Sequence, residues 1–184
     1  MRPVVFLDFD GVLNTGAWRA DASPRVLQRT GRRVVVALGA EFGMPHDVSA
    51  LLLDPAKVAL VNRVVAETGA MVVASTTWRA LVDDPCRDLT TILGHAGATF
   101  VVEGSTSRLF RTDREDEIER WLRDHEWPPY VVLDDIPMGR LHAVETSDRT
   151  GLTPDLAEQA IAILRREVAD RSKRGAGGPK GAAS

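Results

Sequence analysis

Two carboxylate pairs and one hydroxyl-rich stretch carry the chemistry that this sequence can offer. Asp8 and Asp10 end the apolar run Val4-Val5-Phe6-Leu7, and Asp134 and Asp135 end a second run, Tyr130-Val131-Val132-Leu133. Between them, Ala70-Met71-Val72-Val73-Ala74 leads straight into Ser75-Thr76-Thr77-Trp78-Arg79. Carboxylates held close together repel one another, so a cation or a shared proton is needed to keep them. A hard, oxygen-ligated ion such as Mg²⁺ is the usual answer. Gly11, next to Asp10, lets the backbone turn tightly and leaves room for a ligand to approach.

The elements that must position these residues follow from local pattern. Val4 to Leu7 is continuously apolar, as a parallel strand covered on both faces should be, and the strand period puts Asp8 and Asp10 on one face. Asp54-Pro55 starts a helix, Asp54 as N-cap and Pro55 at the first helical position, and Thr68-Gly69 ends it. Further helices are predicted over 86–97, over Asp113 to His125 with Ile118, Trp121 and Leu122 on its buried stripe, and from Pro154 to about Asp170. Strands are predicted at Ala70–Ala74, Ala98–Val102, Tyr130–Leu133 and, at an edge, 142–146, with 104–107 a loop. Residues 15–53 are the least regular part, where Arg32 to Leu38 is strand-like and a hairpin is expected. Trp127, before two prolines, is expected to pack on the 113–125 helix, and Asn14 and Thr15 to line a pocket or cap the following turn. Alternation of strands and helices predicts a three-layer α/β fold, Rossmann-like, with a parallel sheet between helices on both faces. In such a sheet the strand ends lie along one rim. One site then gathers Asp8, Asp10, Ser75 or Thr76, Asp134 and Asp135.

Composition narrows the class. The chain has 184 residues, 44% of them hydrophobic, enough for one domain with a full core, taken as residues 1–170 with a small insertion at about 15–53. The last fourteen residues carry four basic side chains and no acid, so residues 1–170 have a net charge of −7 against −3 for the whole. Residues 171–184 read as a disordered basic tail. An acidic body disfavours broad non-specific binding to nucleic acid, while a local basic patch can still hold a phosphate end. Cys86 is alone, which excludes an internal disulfide and leaves it a structural role. His46, His95, His125 and His142 lack the spacing and the cysteines of a zinc site. No apolar run approaches the ~20 residues of a membrane span, and Asp8 interrupts the first run too early for a signal peptide. A cytoplasmic protein is the expectation.

The run Asp8-Phe9-Asp10-Gly11-Val12-Leu13-Asn14, the hydroxyl of Ser75 or Thr76 after a strand, and Asp134-Asp135 together resemble the haloacid dehalogenase-like (HAD) superfamily of aspartate-nucleophile phosphatases, over Val4 to about Thr153. Ser75 to Arg79, Arg114 to Leu122, Leu133-Asp134-Asp135 and Gly151-Leu152-Thr153 look more narrowly like the small HAD domains associated with RNA repair and polynucleotide end-healing. The resemblance implies that Asp8 attacks phosphorus to form an aspartyl-phosphate. Asp10 then serves as general acid toward the leaving oxygen and as base for the attacking water. It implies Mg²⁺ on the Asp8 carboxylate, the Asp10 carbonyl and Asp134, with Asp135 in support. Ser75, Thr76 and Gly11 are implied to hold phosphoryl oxygens. The superfamily's third motif is usually a lysine, and no lysine lies between residues 58 and 172. Arg114 is the candidate in its place, with Arg111 second and Arg79 a further phosphate ligand, since arginine keeps the charge and grips phosphate in two places.

With residues 15–53 short for a cap domain, an open site with a minimal cap or none is expected. That suits a phosphomonoester presented by a macromolecule, such as a 3′-phosphate on a nucleic acid end. A small-metabolite or nucleotide phosphatase, and a non-catalytic binding or regulatory domain of the same fold, are the alternatives.

Overall fold

A computed structural model of the protein describes residues 1–30, 43–107 and 113–176. Five strands form one sheet: β1 (Val4–Leu7), β2 (Met71–Ala74), β3 (Val102–Ser105), β4 (Tyr130–Asp134) and β5 (Ala143–Glu145). All pairings are parallel and the spatial order is β3-β2-β1-β4-β5. The first strand in sequence therefore lies at the centre of the sheet. The helices are α1 (Gly16–Thr30), α2 (His46–Ser49), α3 (Pro55–Thr68), α4 (Pro85–His95), α5 (Arg114–Asp124) and α6 (Pro154–Ala176), with 3₁₀ turns at Ala50–Leu52 and Thr77–Ala80. This is the three-layer α/β arrangement that the sequence predicts.

The strand period separates two cores. Val5 and Leu7 pack with Ala22 and Val26 of α1, Val58 and Val61 of α3, Leu89 and Ile92 of α4, and Ala157 and Ile161 of α6. Val4 and Phe6 point the other way, to a smaller core with Val73, Val132, and Ile118 and Leu122 of α5. The Phe6 ring meets Trp121 of α5 edge-on at 5.2 Å. The first turn of α5 is tied down by Arg140, whose Nε donates to Glu115 and whose Nη2 donates to Asp116.

Several boundaries are as read from sequence. Asp54 caps α3 by accepting from Ala56 N at 2.9 Å, Pro55 opens the helix, and Gly69 closes it at φ +65°. Others differ for identifiable reasons. Within 15–53 the described stretches 16–30 and 46–52 are helical: Thr15 Oγ1 accepts from Trp18 N to start α1, and Ala22 and Val26, four apart, bury one stripe. The strand-like run Arg32 to Leu38 lies outside the described residues. The third strand falls at Val102–Ser105, beyond the predicted 98–102, because Ala98 N donates back to Leu93 O and Thr99 N to Asn62, closing α4 first. Gly104 and Ser105 are thus strand and not loop. The closing helix continues past residue 170 to Ala176, and Arg171 donates from it to the carbonyls of Glu126 and Trp127. Glu126 (φ +60°) and Trp127 (φ +50°) are both left-handed; Trp127 N donates to Leu122 O at the end of α5, and its ring, 44% exposed, tilts toward Tyr130.

Leu122 is fully buried in the smaller core, on the helix whose first residue is Arg114. Leu122→Ala should lower the free energy of unfolding by about 2–5 kcal/mol, a cavity-creating loss, measured by urea denaturation. A change below about 1 kcal/mol would show that α5 does not depend on this packing.

Candidate active site

The site lies where β1, β2 and β4 end. Leu7 pairs with Ala74 on one side and Leu133 on the other, and the ladder continues one residue further: Asp8 N donates to Leu133 O and Ser75 N to Leu7 O. Ser75, Asp8 and Asp134 therefore form one row across the rim. Each follows by two residues a side chain of the smaller core, Val73, Phe6 and Val132 respectively, so all three share the α5 face.

Arg114 opens α5 and reaches that row. Its Nη1 is 3.3 Å from Asp8 Oδ2, donates to Asp134 Oδ2 at 2.8 Å, and donates to the Ser75 carbonyl. Burial works against the Arg114 charge, but Asp8 and Asp134 together outweigh it and raise its pKa above the ordinary arginine value. One guanidinium faces two buried carboxylates and only partly offsets their burial. Burial pushes Asp8 up to about 6 against the pull of Arg114, the Phe9 N–H and a hydrogen bond from Thr76. Burial and the Asp8 charge push Asp134 up to about 7. Asp135, half-buried, is raised mainly by burial.

Asp8, Asp134 and Asp135 each offer a carboxylate oxygen, and these lie within 4.8 Å of one another. Hard oxygen donors with unmet negative charge suit a divalent cation. The Asp10 carboxylate is not in that group. Its Oδ1 accepts from Asn14 Nδ2 at 2.9 Å and its Oδ2 from Trp78 Nε1 at 2.9 Å, with Arg19 Nη1 3.6 Å away. The expected sharing of one strand face by Asp8 and Asp10 does not hold: β1 stops at Leu7 and the chain curls at once, Leu13 N donating to Phe9 O at 2.8 Å. The strand period does not extend to Asp10.

Gly11 is the pivot of that curl. Its φ is +72°, and a Cβ there would fall 2.2 Å from Asp135 Oδ2, so no side chain fits without displacing Asp135. Its carbonyl accepts from Thr146 Oγ1 at 2.8 Å, and its N–H donates to Asn14 Oδ1 at 3.2 Å. Asn14 Oδ1 also accepts from Arg19 at 2.6 Å, which fixes the amide so that its Nδ2 faces Asp10. Asn14 thus serves the site, while Thr15 serves as the cap.

Of the two candidate hydroxyls, that of Thr76 bonds to Asp8, whereas Ser75 Oγ is fully buried without a partner. Thr76 Oγ1 also accepts from Trp78 N. Arg79 donates to the Thr76 carbonyl and to Glu117 of α5, both of its ion-pair side chains being nearly inaccessible. These contacts brace the hydroxyl-bearing turn, while Arg79 Nε is buried without a hydrogen-bond partner among the described residues. Arg111 lies outside the described residues. Trp78, Asn14, Arg19 and Thr146 are site residues that sequence reasoning did not assign to Asp10 and Gly11; the only available signal was Trp78 and Asn14 falling beside the motif residues.

Two outcomes follow for the metal-free protein. Gly11→Ala should cost about 1–2 kcal/mol of stability from the left-handed backbone alone and weaken divalent-cation binding in calorimetry by moving Asp135. Wild-type cation affinity in that variant would contradict the close approach. Asp8 and Asp134 hold protons in the folded state that the unfolded chain has already lost above about 3.8. Their contribution to stability is therefore present below that value and lost as pH rises through about 6 and 7. In urea unfolding with chelator, Asp134→Asn should gain on wild type across that window. A constant difference would exclude the assignment.

The chain matches the family model of the HAD domain in Swiss Army Knife RNA repair proteins over residues 4–157. No curated protein and no solved structure matches it. The matched span runs from the first residue of β1 into α6 and takes in every described residue of the rim. With a parallel sheet of five strands carrying paired aspartates at the ends of β1 and β4, the chain belongs to this family of HAD domains.

Proposed function

We propose that the protein is a Mg²⁺-dependent phosphomonoesterase that works through an aspartyl-phosphate on Asp8, with a phosphorylated nucleic acid end as substrate. Membership of the family supports phosphatase-type chemistry in an RNA repair context. The observation that carries the reading is Asp8 itself. It is a buried carboxylate at the end of the central strand, with Thr76, Arg114 and the Asp134–Asp135 pair converging on it.

Asp8 attacks phosphorus as its ester bond to the leaving oxygen breaks, and Asp10 delivers a proton to that oxygen. Asn14 and Trp78 hold the Asp10 carboxylate in place for this transfer. In the second half, Asp10 takes a proton from water, the water attacks phosphorus, and Asp8 leaves as a free carboxylate with phosphate released. Thr76 and the Gly11 turn offer hydrogen bonds to phosphoryl oxygens, and Arg114 offsets the charge gathered around Asp8. Mg²⁺, held by Asp8, Asp134 and Asp135, would remove the repulsion between an anionic nucleophile and an anionic substrate.

The test is phosphate release from an aryl phosphate and from a 3′-phosphorylated oligoribonucleotide, by wild type and by Asp8→Asn of equal folded content. Wild type should turn over both and lose activity on chelation, while Asp8→Asn should fall by at least about 10³-fold. Turnover of free nucleotides without the oligonucleotide would assign a metabolite substrate. Inactivity of a folded wild type that still binds Mg²⁺ would assign a binding domain.

A further inference from the structure

The acidic body carries a local exception on α1. This helix leaves the site directly, since Gly16 follows the Asn14 and Thr15 that serve Asp10 and the cap, and it holds Arg19, Arg25 and Arg29 against one acid, Asp21. Arg19, one turn in, is bonded to Asn14 and Asp148 beside Asp10. Trp18, Arg25 and Arg29 are seven and eleven residues along, which puts them on one stripe of the helix. The Trp18 ring is half-buried and fixed by its indole N–H on the Leu51 carbonyl, and the exposed Arg25 guanidinium lies over it, 5.8 Å from the centroid. Further out, Arg25, Gln28, Arg29 and Leu51 line a cleft of about 360 Å³. Arg25 has no carboxylate partner among the described residues, and Arg29 pairs with Asp47 in an exposed contact. Such an exposed pair contributes little and leaves Arg29 available to a phosphate.

We infer that this stripe of α1, from Trp18 to Arg29, is the track on which a single-stranded nucleic acid lies when its terminal phosphate is at Asp8. The inference rests on the nucleic acid end proposed above as substrate, and adds where the rest of the strand goes. Three features favour a polynucleotide over another occupant. The stripe is basic in a chain whose net charge is −3, so its attraction is to a polyanion and local. Its inner end, Trp18, adjoins Arg19 at the Asp10 turn, and from Trp18 to Arg29 it extends about 16 Å at helical rise, more than a lone phosphate needs. Guanidinium groups, one of them backed by an indole face, contact phosphates and stack beneath bases without selecting sequence.

The experiment measures binding of a fluorescent 3′-phosphorylated oligoribonucleotide by anisotropy across a salt series, with chelator present to stop turnover. In parallel it measures hydrolysis of an aryl phosphate with Mg²⁺. The proteins are wild type, Arg25→Ala/Arg29→Ala, and Arg120→Ala/Arg123→Ala, the last removing two exposed arginines of α5. Arg25→Ala/Arg29→Ala should bind the oligonucleotide about 10-fold more weakly, with the slope of log K against log salt shallower by about 1.4. Its aryl phosphate hydrolysis should stay within about twofold of wild type, and the α5 variant should bind as wild type does. Unchanged oligonucleotide affinity in the α1 variant, or equal loss in the α5 variant, overturns the track and leaves the hydrolase reading intact. Failure of wild type to bind the oligonucleotide while it hydrolyses the aryl phosphate overturns both the track and the nucleic acid substrate. Binding lost only in the α1 variant, with no hydrolysis by any protein, upholds the track and overturns the hydrolase.

Discussion

A single guanidinium between two buried carboxylates organises this molecule. Arg114 reaches Asp8, Asp134 and the Ser75 carbonyl, and so ties the ends of the three inner strands to the start of α5. A buried charge pair is costly to create and more costly to break, because removing one partner leaves the other uncompensated in a poor dielectric. Here the pairing is incomplete by design of the residue set: two acids meet one base, with Asp135 close by. Burial raises the pKa of both Asp8 and Asp134, and Arg114 offsets only part of that rise. The site is therefore stable as a fold element and still electrostatically receptive to one further cation.

Around this triad stand two braces. Arg79 and Glu117 form a second buried ion pair linking the Thr76 turn to α5, so the helix holds both the guanidinium at Asp8 and the loop that carries the hydroxyl. On the other side, Trp78 and Asn14 fix Asp10, and Arg19 fixes Asn14. Asp8 and Asp10 are thus positioned by separate sets of contacts. A change in one set need not disturb the other.

Much of this was legible in the sequence because the signals were local. Continuous apolar runs ending in aspartates announced buried parallel strands and the acidic rim at their ends, and Asp54-Pro55 with Thr68-Gly69 bracketed α3 by capping chemistry alone. Arg114 could be chosen in place of a lysine because it opened an amphipathic helix. What the sequence hid was tertiary in origin. The third strand begins only at Val102 because α4 and Asn62 claim the backbone of Ala98 and Thr99 first. The roles of Trp78 and Thr146 depend on contacts across 68 and 135 residues of chain, and no local pattern carries such pairings.

The row of side chains along the rim has one more implication. Ser75, Asp8 and Asp134 are spaced by the hydrogen-bonding distance between parallel strands, about 4.8 Å, a length that belongs to the peptide backbone and not to any side chain. The sheet acts as a ruler. Substitutions that repack either core can shift helices by fractions of an ångström while the interval between Asp8 and Asp134 stays fixed. The interior sequence, and the helix that leads away from the site, can therefore vary widely without changing the spacing of the acidic rim.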